Sequence, residues 1–294
     1  MNNENYYNQV KEFLEKKLGE EYQVELQVMD KLNGKKKEGF CIRYKGDDVS
    51  SIIYIEGIWE SMDPMGKPEM CAEMIFKAYK SKGRRLLRKE ICAEDIKNWE
   101  RVRYKVYPFL MYREWNTDLI AHLVTEPFLD LEIGYYVRIG RMGQSDYGIV
   151  KIERGILKVW GISEEALRMQ AFSNMEKDEY QTKDLLELLA GAVELAGADL
   201  PLGILTNGDQ YYGAAGILNK KLLMKYANQM DSNLYLIPSS VNEILIFPDN
   251  KGVETKGLNR MIEEINREQV DLELRLSDHA YYYDREIGEI TIAK

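Results

Sequence analysis

The sequence predicts a mixed α/β (α+β) protein in two lobes, with mixed or antiparallel sheets covered by amphipathic helices. Three observations lead there. Apolar residues recur at three- and four-residue spacing in several segments, strict alternation marks others, and the almost wholly apolar runs 234–237 and 244–247 call for strands covered on both faces. With 294 residues, 45% hydrophobic and 30% charged, the chain has material for one large domain or two ordinary ones.

Residues 5–18 place Tyr6, Val10, Phe13, Leu14 and Leu18 on one helical face, with Gly19 as the stop. Residues 22–29 then alternate Tyr22, Val24, Leu26 and Val28 against Gln23, Glu25 and Gln27, the period of a half-buried strand. Asn33-Gly34 tolerates positive φ and turns the chain into a return strand carrying Phe40, Ile42 and Tyr44. A third strand is expected at 51–56. A helix opening at Pro68, with Cys71, Met74, Ile75, Ala78 and Tyr79 on one face and an end near Gly83, would cover this meander. A helical patch at 93–99 precedes Val102, Tyr104 and Val106, which alternate with Arg101, Arg103 and Lys105 as a strand with one charged face.

The texture changes near residue 114, so the expected domains are an α+β lobe over 1–113 and an α/β lobe over 114–294. The net charge of −9 resides in the second, while the first is weakly basic. The second lobe opens with a helix at 118–125, a break at Pro127 and paired strands at 131–139 and 147–153. Ser163 caps one helix, and another is expected to start at Thr182 or Asp184 with Leu185, Leu186, Leu189, Val193 and Ala196 on one side. The remainder reads as strand 202–206, a glycine-rich loop 208–216, helix 219–230, strand 234–237, a Pro238-Ser239-Ser240 turn, strand 241–247 and helix 258–267.

Several function classes find no support. No apolar run reaches the length of a membrane span and the first residues lack a secretory pattern, so a soluble cytoplasmic protein is expected. Cys41, Cys71 and Cys92 are odd in number and widely spaced, which predicts reduced, unpaired thiols. The two histidines, His122 and His279, stand in no metal-ligand spacing, and no metal or cofactor is expected. His122, among Leu119, Ile120 and Leu123, reads as a part-buried structural imidazole. The glycines at 203, 208, 213 and 216 fit neither phosphate-loop pattern.

Two groups of residues are left as candidates. The segment 77–105 is strongly basic with aromatics interleaved, and Arg84, Arg85, Arg88 and Lys89 form a candidate polyanion site. The C-terminal loops offer Thr206, Asn207, Asp209, Tyr212, Ser239, Ser240, Asn242, Glu243, Asp278 and His279 as a candidate functional surface. Ser277-Asp278-His279 is no triad, because adjacent residues rarely face one another.

At these same loops the sequence resembles DUF5688, a bacterial family defined only as a domain of unknown function. The resemblance rests on Leu205-Thr206-Asn207, Tyr212-Gly213-Ala214-Ala215, Ile237-Pro238-Ser239-Ser240-Val241-Asn242-Glu243, and Leu276-Ser277-Asp278 running into Tyr281-Tyr282-Tyr283-Asp284. Residues 39–43 and 52–54 also look similar and extend it over nearly the whole chain. It implies a bacterial accessory protein, often carried on mobile elements, with no assigned activity. Together these features favour a binding protein with a protein or small-ligand partner. Two rivals stay open: a hydrolase using Ser239 or Ser240 with an acidic partner, and nucleic-acid binding through 77–105.

Overall fold

The structure, a computed structural model, describes residues 3–46, 50–59, 66–83, 93–141, 147–184, 203–249 and 254–294. The chain forms two compact units: Met1–Val102 with Arg138–Ile149, and Arg103–Val137 with Val150–Lys294. The three sheets among the described residues are antiparallel. No helix among the described residues is long and apolar enough to cross a membrane.

In the first unit, helix α1 (Asn3–Leu18) buries Val10 and Leu14 of the predicted stripe together with Tyr7, while Tyr6, Phe13 and Leu18 pack against them partly buried. Strands β1 (Tyr22–Asp30), β2 (Lys36–Tyr44) and β3 (Ser51–Tyr54) form a three-stranded meander. Its first turn carries Asn33 at φ 58° and Gly34 at φ 68°, the conformations that Asn-Gly accepts at little cost. Helix α2 (Pro68–Ala78), extended by a helical turn to Gly83, adds Cys71, Ala72 and Ile75 to a core shared with Val24, Phe40 and Ile42. One expectation is corrected here. The inward face of β1 is buried at Val24, but Leu26 and Val28 on the same face stand 38% and 54% exposed, so the half-buried strand is half-buried over part of its length only.

The second unit begins differently from expectation. Residues 99–105 are not a strand: Trp99–Val102 and Arg103–Lys105 are short helical turns, and β4 starts at Val106 and runs to Tyr112. The apolar positions do not share a face: Val102 and Val106 are buried, Tyr104 is exposed, and Arg103 and Lys105 are half-buried. Helix α3 (Thr117–His122) ends earlier than expected, and His122 is exposed rather than part-buried. Pro127 does not break the chain but lies within β5 (Thr125–Phe128), an edge strand, where its missing N–H faces no partner strand. Strand β6 (Leu131–Arg141) pairs with β4, with β5 and with β7 (Tyr147–Lys151). Helices α4 (Arg154–Trp160) and α5 (Glu164–Lys177) follow, α5 capped by Ser163 Oγ accepting from the N–H of Ala166 at 3.2 Å.

Thr182 and Asp184 do not start a helix. They belong to strand β8 (Tyr180–Asp184), paired with β9 (Gly203–Asn207); the expected apolar stripe of Leu185 to Ala196 lies outside the described residues. After helix α6 (Lys220–Met230) come β10 (Leu234–Ser240), β11 (Glu243–Pro248), helix α7 (Thr255–Gln269), and a hairpin of β12 (Tyr281–Asp284) and β13 (Glu289–Ile292) that the sequence reading did not identify. The sheet order β13-β12-β10-β11-β9-β8 puts the two apolar strands at its centre, as their composition demands. One face, with Tyr235, Ile237 and Phe247, packs on Ile262 and Leu258 of α7. Alternation turns Leu234, Leu236, Ile244 and Ile246 to the other face, where all four are fully buried.

Pro238-Ser239-Ser240 is therefore not the hairpin turn. These residues extend β10, with a bulge between Pro238 and Ser240, and Val241-Asn242 makes the two-residue link. The bulge accommodates a proline that cannot donate to a ladder.

Candidate functional site

The end of the central sheet at which β9 finishes and β10 turns into β11 gathers most of the candidate residues. Thr206 Oγ1 donates to Asn242 O at 2.8 Å, and Asn242 Oδ1 accepts the N–H of Tyr212 at 3.0 Å. The N–H of Ala214 donates to Val241 O at 3.3 Å, and that of Val241 to Leu274 O at 2.7 Å. Asn207 closes its own loop, donating from Nδ2 to Tyr211 O at 2.9 Å and accepting the Tyr211 N–H at Oδ1 at 3.1 Å. Asp209 lies in that loop, half-buried. Four segments are thus tied together around Asn242.

Glycine is required at the centre of this knot. A Cβ on Gly213 would lie 2.4 Å from Thr206 Oγ1, 2.5 Å from Asn242 O and 2.7 Å from Asn207 N. The preceding Tyr212 takes a left-handed φ of 53° and buries its ring, stacked on Phe109 of β4 at 4.7 Å and edge-on to Tyr136 at 5.2 Å. Burial, reinforced by Tyr211, pushes the Tyr212 hydroxyl well above its ordinary value.

The serines are engaged in the hairpin. Ser239 Oγ donates to Glu243 Oε1 at 3.0 Å, and Ser240 Oγ accepts the N–H of Asn242 at 3.1 Å. Ser239 thus has the acidic partner that the sequence suggested, and among the described residues no imidazole stands between them.

Three residues along β4 from Phe109, a second cluster forms that sequence reasoning half missed. Its centre is His279, whose Nε2 lies 2.9 Å from Asp130 Oδ2, off the straight hydrogen-bond line. Tyr281 donates its hydroxyl to the other oxygen, Asp130 Oδ1, at 2.9 Å. Burial pushes the Asp130 carboxyl up, but the His279 and Tyr281 contacts outweigh it and leave the group below the usual aspartate value. The His279 ring stands 5.1 Å from that of Tyr281 and 6.5 Å from that of Tyr112, which packs on Trp115 at 4.6 Å. Burial, with the carboxylates of Glu114, Asp130 and Asp278, raises the Tyr112 hydroxyl.

Asp278 does not face His279's partner. Its Oδ1 accepts from Asn266 Nδ2 at 2.8 Å, and Ser277 Oγ turns to His279 O at 2.9 Å, so the three consecutive residues indeed form no triad. Asp130 was missed because nothing local marks it. The one available signal is the Phe128-Leu129-Asp130-Leu131 run, a two-residue hairpin link without a glycine.

Arg84, Arg85, Arg88 and Lys89 lie outside the described residues, as does Cys92. Elsewhere in the basic segment Lys77 pairs with Glu73 and Arg101 with Asp95. Cys41 and Cys71 are buried and form no disulfide among the described residues. Among the described residues no group of three or more His, Cys, Asp or Glu side chains is placed to hold a metal ion.

No curated protein and no solved structure matches this chain. The model of one family, described as a family of unknown function (DUF5688), matches residues 3–285, and the chain belongs to that family.

Proposed function

We propose that this is a cytoplasmic small-ligand-binding protein whose recognition surface is the end of the six-stranded sheet bounded by the Asn242 knot and the His279 cluster. One observation carries the reading: β9, the 211–214 turn, the β10–β11 link and Leu274 are tied to one another through hydrogen bonds centred on Val241 and Asn242. Loops held in this way lose little freedom when a ligand binds, which is where much of the cost of binding otherwise falls. Beside them Tyr112, Trp115 and Tyr211 are partly exposed and supply flat amphipathic surfaces. The carboxylates of Glu114, Asp130 and Asp278 favour a neutral or cationic ligand over a phosphate.

The net charge of −9 and the ion pairs of Lys77 and Arg101 weigh against a polyanion. The engaged hydroxyls of Ser239 and Ser240 weigh against serine chemistry. A thermal-shift screen of neutral and cationic metabolites tests the proposal, since a ligand of the native state raises the melting temperature by mass action. A hit should be lost in both Tyr112→Ala and Trp115→Ala. Hits that survive both substitutions would move the site elsewhere, and steeply salt-dependent binding of single-stranded nucleic acid would favour the basic segment instead.

A further inference from the structure

Both partners of the His279–Asp130 pair are held more firmly than their own contact requires. Asp130 sits in the two-residue link between β5 and β6, where Leu129 adopts φ 54°. That conformation is costly for a side chain as large as leucine and persists only where the surroundings enforce it. Arg113 enforces it here: Nη2 donates to Leu129 O and Leu131 O, each at 3.0 Å, Nε donates to Glu132 Oε1 at 2.7 Å, and the backbone N–H of Arg113 donates to Asp130 O at 3.2 Å.

On the other side, Asn266 Nδ2 donates to Ser277 O at 2.9 Å and to Asp278 Oδ1 at 2.8 Å, Ser277 Oγ holds His279 O, and Asn259 Oδ1 accepts the N–H of Ala280 at 3.0 Å. The carboxylate of Asp130 is spent on both sides, on Tyr281 and on His279. The imidazole keeps 20% of its surface exposed, and among the described residues its Nδ1 has no hydrogen-bond partner. A carboxylate that orients one ring nitrogen while the other stays open is the arrangement of an oriented base. The off-line Nε2 contact is what such pairs commonly show without a bound substrate.

We propose that His279, oriented by Asp130, is a general base that activates water for hydrolysis of a neutral ester carrying a flat apolar group. Water is the nucleophile because no Ser or Cys side chain bonds the imidazole among the described residues; Ser277 Oγ is turned to a carbonyl. The rings of Tyr112 and Trp115 receive the flat group, and Glu114, Asp278 and Asp130 disfavour an anionic one. In the step, Nδ1 takes a proton from water as the water oxygen bonds to the acyl carbon and the carbonyl electron pair moves onto its oxygen. When that intermediate collapses, the bond to the leaving alcohol breaks and the proton on Nδ1 passes to the alcohol oxygen. Asp130 stays ionised and stabilises the imidazolium between the two events.

The inference rests on the reading that this end of the sheet binds a small ligand, and the experiment separates the two. The full chain is assayed with p-nitrophenyl butyrate and, in parallel, with p-nitrophenyl phosphate, alongside His279→Gln, Asp130→Asn and His122→Gln, with circular dichroism reporting the fold of each. The expected result is saturable hydrolysis of the butyrate alone, reduced about 10²-fold to 10⁴-fold in His279→Gln and unchanged in His122→Gln. Asp130→Asn should also lower kcat with little change in KM, a split that a purely structural loosening of the binding loops would not produce. Turnover that survives His279→Gln overturns the proposal, as does preferential hydrolysis of the phosphate. Ligand binding lost in Tyr112→Ala together with no turnover by the unaltered chain overturns the base and leaves the binding reading standing. If His279→Gln fails to fold, carbethoxylation of the unaltered chain with diethylpyrocarbonate replaces it: loss of turnover tracking modification of His279 supports the proposal, and retention of turnover after that modification overturns it.

Discussion

Asn242 Oδ1 accepts the backbone N–H of Tyr212 at 3.0 Å, at a residue whose φ of 53° puts its amide out of reach of any regular ladder. One side chain thereby satisfies the donor that the left-handed turn creates. Asn242→Ala should cost about 1–3 kcal/mol, because a donor beside a buried ring is left unsatisfied. Asn242→Asp, which keeps the acceptor, should recover most of it. Urea denaturation measures both, and an alanine variant as stable as the parent would show that the knot does not hold the loops.

Gly213 is the tighter test of the same place. With Thr206 Oγ1, Asn242 O and Asn207 N all within 2.7 Å of the position that a Cβ would take, Gly213→Ala must displace backbone and not just a flexible side-chain end. Overpacking of this kind costs about 1–3 kcal/mol or more. The loss should appear as a lower denaturation midpoint with an unchanged slope.

The centre of the sheet and its turn should respond differently. Ile246 is fully buried between Leu236 and Gly203 on neighbouring strands, so Ile246→Ala should cost about 2–5 kcal/mol through lost burial and a residual cavity. Ser240 offers one hydrogen bond, to the N–H of Asn242, and Ser240→Ala should cost about 0.5–1.5 kcal/mol. Equal losses at the two sites would mean that β11 is not central.

Acid should reveal Asp130. Its carboxyl is held below the usual value, against burial, by His279 and Tyr281. A group with a depressed native value contributes stability that is complete above its unfolded value, about 3.9 for aspartate, and is lost as pH falls through the native one. Asp130→Asn should therefore be less stable than the parent near neutrality, and the difference should narrow as pH drops below about 4. A difference that is constant with pH would show that the charge of Asp130 is not what stabilises the turn.

Alkali should reveal the buried phenols. Desolvation raises the hydroxyls of Tyr7, Tyr135, Tyr212 and Tyr281 far above the ordinary value, and pushes Tyr282 up to about 12. Their contribution is complete below about pH 10 and is lost as pH climbs toward the native values. Tyrosinate absorbance should rise in two stages, the later one coinciding with loss of secondary structure. A single early titration of all 20 tyrosines would contradict the burial.

The local chemistry of the sequence determined a good deal of this protein by itself. The stripe of α1, the Asn33-Gly34 turn, the Ser163 cap and the paired apolar strands β10 and β11 each follow from periodicity or from one residue's conformational preference, which neighbours in the chain suffice to express. Where such signals were ambiguous, long-range pairing decided. Thr182 and Asp184 entered a strand because β9 offers a ladder, Pro127 entered one because an edge tolerates a missing donor, and Pro238 to Ser240 extended β10 through a bulge. The same holds for the candidate site. Thr206, Asn207, Tyr212 and Asn242 could be named from the sequence, but only the register of β9 against β11 brings them into one knot. Asp130 is marked locally only as part of a short hairpin link, and it becomes the partner of His279 because two turns distant in sequence meet beside β4, an encounter set by packing that no window of neighbouring residues encodes.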